Sequence, residues 1–70
     1  MGLKTEVPTA WIERATFEKE NLETEIEKLD RALATQAYTA DTRDLLVVQL
    51  AFMKGYADTL GKRLALAYNN

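Results

Sequence analysis

The chain has 70 residues, with 9 lysines and arginines against 11 aspartates and glutamates, a formal net charge of −2, and no cysteine or histidine. That length allows one domain with a modest core, and cores of this size usually draw on disulfides, metal ions or oligomerisation. Lack of cysteine and histidine excludes disulfides and most zinc sites, and since serine is missing too, neither a Ser-His-Asp nor a Cys-His arrangement can form.

The first eight residues, MGLKTEVP, are expected to be flexible. They lack the apolar core of a secretory leader. Glu6 stands where a myristoylation signal requires Ser or Thr. No apolar run reaches membrane-spanning length. The net negative charge speaks against a general nucleic-acid binder. These features predict a cytoplasmic protein with no membrane partner, no nucleic-acid partner, no metal and no cofactor. The remaining threonines and carboxylates form no arrangement that activates a nucleophile, so binding is expected, not catalysis.

Pro8 ends whatever precedes it, and Thr9 is a candidate cap for a helix over about residues 10–34. Trp11, Ala15, Leu22, Ile26, Leu29 and Leu33 recur at helical spacing and form a narrow apolar stripe. The rest of that helix is densely charged, and Phe17 falls far from the stripe. A connector follows over about residues 35–40, with Thr39 and Asp41 as candidate caps for the next helix. The second helix is expected over about residues 41–67, with Asn69 and Asn70 as a frayed end. A connector this short makes the pair an antiparallel hairpin.

The second helix carries two apolar stripes. Leu46, Leu50, Met53, Ala57, Leu60, Leu64 and Ala67 alternate four and three, as a coiled-coil seam does. Leu45, Gln49, Phe52, Tyr56 and Arg63 lie about 90° around the helix. A hairpin covers only one stripe well, and a surplus apolar stripe marks an interface. The predicted architecture is therefore all-α, a two-helix hairpin assembling into a homo-oligomeric helical bundle, with Phe17 on a further contact surface. Between Glu13 and Arg31, seven acidic residues stand against four basic ones, whereas from Thr42 onward four basic residues stand against two acidic ones. This asymmetry predicts cross-helix ion pairs, Glu18 with Arg63 foremost.

Two glycines interrupt FMKGYADTLGKR, at a cost of roughly 1 kcal/mol each relative to alanine. Gly55 is expected at a close contact between helices, the alternative being room for a flat ligand beside Tyr56. Gly61 is expected at a neutral surface position. Tyr56 and Arg63 are two turns apart and share a face, combining a stacking ring with a fork suited to phosphate.

EKENLETEIEKLDRAL followed by LLVVQLAFMKGYADTLGKRLAL resembles a group of short phage proteins, also found in prophages and crAss-like phages. The shared positions are Glu18, Lys19, Leu22, Ile26 and Leu29, then Gln49, Leu50, Met53, Tyr56, Leu60 and Arg63. The resemblance spans about residues 12–66. It implies similarity to phage anti-defence sponges, oligomers that hold nucleotide-derived immune messengers away from host effectors in the host cytoplasm. The messenger class stays open between a cyclic oligonucleotide and an ADP-ribose derivative. Candidate ligand-binding residues are Tyr56 and Trp11 for stacking, and Arg63, Lys62 and Lys19 for phosphate. The alternative is a small structural or protein-binding hairpin, an assembly factor or an inhibitor docking on a host protein through the second stripe.

Overall fold

The computed structural model describes the backbone of residues 2–69 and the side chains of residues 10–68. Met1, Asn70 and the side chains of residues 2–9 and Asn69 lie outside the described residues, and with them part of the frayed end expected there; Thr9 lies inside a helix that begins at Gly2, so it is not that helix's cap. Two helices make up the fold, α1 over Gly2–Thr35 and α2 over Ala40–Asn69. They pack side by side as a hairpin, a rod of 56 × 15 × 14 Å.

α1 differs from expectation at its start. It is helical from Gly2, so Pro8 lies within it and residues 2–8 do not form an irregular arm. Leu3, Lys4 and Glu6 all favour helix. The consequence of Pro8 is local: it has no N–H to give the carbonyl of Lys4.

The chain reversal is fixed by two side-chain hydrogen bonds and one favourably placed charge. Thr39 Oγ1 accepts from the backbone N–H of Thr42 at 3.3 Å, which makes Thr39 the cap of α2. Asp41 then places its charge in the first turn, where the helix dipole favours it. Across the turn, the Arg43 guanidinium donates to the carbonyl of Leu33 at 2.9 Å. That carbonyl is one of the last four of α1, which have no partner inside their own helix. A residue of the second helix thus caps the first.

The seam holds the hairpin closed. Ala15 and Leu33 of α1 are buried against Leu50, Ala57, Leu60 and Leu64 of α2. The other predicted seam residues, from Trp11 to Leu29 and from Leu46 to Ala67, are half-buried. Leu60 is the most enclosed side chain, 0% exposed, at the centre of a cluster with Ala15 and Leu64 that Trp11, Ile12 and Leu22 pack against. The second stripe stays outside, with Leu45 at 71% and Phe52 at 76% exposure. Phe17 is also exposed.

Three local expectations are corrected. The charge asymmetry gives little cross-helix pairing. Among the described residues Lys54–Asp30, at 3.8 Å, is the one cross-helix ion pair, while Lys19–Glu23, Lys28–Glu25 and Lys62–Asp58 lie within a helix. Partners three or four residues apart are already neighbours on one helix surface, so they pair without spanning the seam. Gly55 makes no close helix contact within the hairpin: a Cβ there would meet nothing within 4 Å. Gly61 is not neutral surface, since its added Cβ would sit 3.2 Å from Cε of Lys19.

Leu60→Ala removes the most enclosed side chain and is expected to destabilise the fold by about 2–5 kcal/mol. Urea unfolding followed by helical circular dichroism measures it. A loss under about 0.5 kcal/mol, the size of an ordinary surface change, is incompatible with this seam.

Candidate functional site

One long edge of the hairpin carries two successive rungs between the helices. At the first, the Arg63 guanidinium lies over the Trp11 ring, 5.1 Å from its centroid. At the second, the Tyr56 hydroxyl donates to Glu18 Oε2 at 2.5 Å. Trp11 and Glu18 are two turns apart on α1, and Tyr56 and Arg63 two turns apart on α2 in the opposite direction. Antiparallel packing therefore sets the rungs in register. Trp11 is held from beneath by the Leu60 cluster, so its ring is a supported platform.

The expected Glu18–Arg63 ion pair is not formed. Glu18 lies level with Tyr56, and Arg63 lies level with Trp11. A guanidinium over an indole face gains about 0.5–1 kcal/mol at an exposed site, comparable to an exposed ion pair. Tyr56 offers Glu18 a short, charge-assisted bond in place of the arginine.

Lys19 and Lys62 stand apart from this edge. They flank a shallow depression of about 330 Å³ on the other side of the hairpin, floored by Ala57, Gly61 and Ala65. Lys19 Nζ is 2.7 Å from Glu23, and Lys62 Nζ is 3.0 Å from Asp58, so each ammonium is partly neutralised. Of the five candidate residues, the fold brings Trp11, Tyr56 and Arg63 to one edge and Lys19 and Lys62 to another.

Two features were not assigned a site role from the sequence. Glu18 is the carboxylate of the second rung, and its seven-residue spacing from Trp11, the stripe's own period, was the available signal. Beside Tyr56, an open apolar groove of about 550 Å³ runs along Leu22, Leu45, Val48, Phe52 and Met53. Leu45 and Phe52 come from the second stripe and Leu22 and Met53 from the seam, so the groove lies where the two adjoin, which the periodicity of either alone does not show. Together the edge and groove offer flat apolar faces, one guanidinium, one phenol and one carboxylate. That set can stack on a planar ring, bind an anion and hydrogen-bond a hydroxyl group.

The Tyr56 phenol is pushed above the ordinary tyrosine value, first by its hydrogen bond to Glu18, then by desolvation and by the Glu18 charge; Arg63 opposes the shift. The fold favours the neutral phenol. Its stabilising contribution is complete below about pH 10, the ordinary tyrosine value, and is lost as pH rises through the raised one. Tyr56→Phe is expected to remove that part of the alkaline loss of stability. Ring carbon shifts of Tyr56 followed by NMR should show its ionisation midpoint falling in Glu18→Ala. An unchanged midpoint in that variant contradicts the rung.

Among the described residues, no helix is long and apolar enough to cross a membrane. No curated protein and no solved structure matches the chain significantly. A family does: the one described as Sequestin, over residues 9–66, which takes in both helices, the connector and every residue of the two rungs. The family's name points to sequestration. With most of its length matched, this helical hairpin belongs to the Sequestin family.

Proposed function

We propose that the protein is a homo-oligomeric phage anti-defence factor that sequesters a nucleotide-derived immune messenger in the host cytoplasm. It does so by binding alone. The messenger is a cyclic oligonucleotide or an ADP-ribose derivative, either of which combines planar bases with phosphate. What carries the reading is the convergence of Trp11, Tyr56 and Arg63, distant in the chain, on one edge of a Sequestin hairpin. Tyr56 supplies a stacking face, and Trp11 supplies one when Arg63 turns from its ring to the phosphate. Arg63 supplies a fork for phosphate.

Charge-assisted hydrogen bonds contribute roughly 1.5–3 kcal/mol each, so nanomolar sequestration, about −12 kcal/mol, needs several besides the stacking. Lys19 and Lys62 are the proposed further cations. Because they occupy another edge of the hairpin, they join Arg63 on one ligand only through a second subunit. The proposed pocket therefore lies between subunits. Glu18 repels an incoming phosphate, so ligand entry exchanges the Tyr56–Glu18 bond for bonds to the ligand.

The test is a melting-temperature screen against cyclic oligonucleotides and cyclic and linear ADP-ribose compounds, followed by calorimetry. Binding restricted to the folded state stabilises it by about 2.7 kcal/mol at a ligand concentration 100 times Kd. Tyr56→Ala and Arg63→Ala should each abolish binding while helical content and subunit mass persist. Glu18→Ala should retain binding, since it removes a repelling charge. If no compound shifts the melting temperature, or if the ligand is turned over, the reading fails. Specific capture of a host protein through the apolar stripe would favour the docking-hairpin alternative.

A further inference from the structure

We infer that the outer face of α2 is a two-fold, antiparallel interface with a second copy of this chain, crossing at Gly55. The inference gives a surface and a geometry to the assembly part of the reading above and does not depend on its ligand.

From Leu45 the outer face steps through Val48, Phe52, Gly55, Thr59 and Leu66 at helical-seam spacings, with Lys62, paired to Asp58 at 3.0 Å, at the position between Thr59 and Leu66. The other six are uncharged, and all are exposed in the hairpin. The Thr59 hydroxyl is already satisfied by the carbonyl of Gly55, at 3.0 Å, and needs no outside partner. Gly55 lies at the midpoint of the row with open space around its missing Cβ, although alanine would make a better helix. A bare backbone at the middle of an apolar face suits close approach by another helix.

The row is also self-complementary. A two-fold axis between positions 55 and 56 sets Leu45 against Leu66 of the other copy, Phe52 against Thr59, and Tyr56 against Gly55. Phe52 and Tyr56 each meet a small residue, while Leu45 and Leu66 pair as two apolar side chains, and the same contacts repeat on both sides of the axis, as in an isologous contact between identical helices. Arg63 falls opposite Val48 and so avoids its own symmetry mate. Five exposed apolar residues, two of them aromatics that bury about 150–250 Å² each, offer roughly 600 Å² per copy. That approaches the roughly 800 Å² that each partner buries in a stable complex.

Because the chain has no native cysteine, crosslinking gives a clean test. Sedimentation equilibrium at micromolar concentration should give twice the 7.9 kDa chain mass, or a higher even multiple. Phe52→Glu should halve that mass with helical content retained. Gly55→Ala should weaken self-association about ten-fold or more, because the methyl overpacks the crossing. Gly55→Cys should crosslink to itself on mild oxidation, whereas Val47→Cys, on another side of α2, should not. A monomer at tens of micromolar overturns the interface, as does an assembly that Phe52→Glu leaves intact or a Gly55→Cys chain that stays uncrosslinked. Failure of the two readings is distinguishable: a dimer without nucleotide affinity refutes the messenger and leaves the interface, whereas a nucleotide-binding monomer refutes the interface and the pocket between subunits and leaves the messenger.

Discussion

A pair of helices has one seam to share, and here α2 brings apolar residues enough for two. The covered stripe, with Leu60 fully enclosed, closes the hairpin. The uncovered one is left facing solvent with two strongly exposed large side chains, Leu45 and Phe52. Most of what distinguishes this protein follows from that surplus. The groove beside Tyr56 is the gap between the covered and uncovered stripes. The polar rungs run along the border where seam gives way to surface, since only there can a side chain reach across to the other helix while keeping its charged end in water.

Much of the fold was legible because the helical period is so regular. Each residue placed on the seam by its spacing is buried or half-buried in the structure. Helix ends were less legible. Thr39 competed with Asp41 as a cap until the bond to the Thr42 N–H distinguished them. Pro8 read as a stop because its local penalty is visible in a sequence, while the propensity of the residues before it is a sum of small terms. The cap supplied by Arg43 to Leu33 carried no pattern at all, because it depends on a side chain crossing the turn.

The site was legible in its members and illegible in its pairing. Tyr56, Arg63 and Trp11 stood out as the chemically versatile residues near one face. Their partners depend on register, and shifting an antiparallel pair by one turn exchanges every cross-helix neighbour. Glu18 therefore met a phenol instead of a guanidinium. Lys19 and Lys62 shared only their charge with Arg63. Charge says nothing about which side of a hairpin a residue faces, and those two lie on another edge.

The position of the Leu60 cluster has a further consequence. It lies toward the end of the hairpin remote from the connector, where two helices joined at one turn are ordinarily free to fray. The rod is instead fastened at both ends, by Arg43 and Thr39 at the turn and by Ala15, Leu60 and Leu64 at the other. Slow hydrogen exchange should therefore concentrate at the two ends, with a more labile stretch between them around Met53 and Ile26. Trp11 and Arg63 sit on the remote fastening. A ring already immobilised by the core loses little further entropy on making a contact, so the Arg63–Trp11 rung forms at low entropic cost.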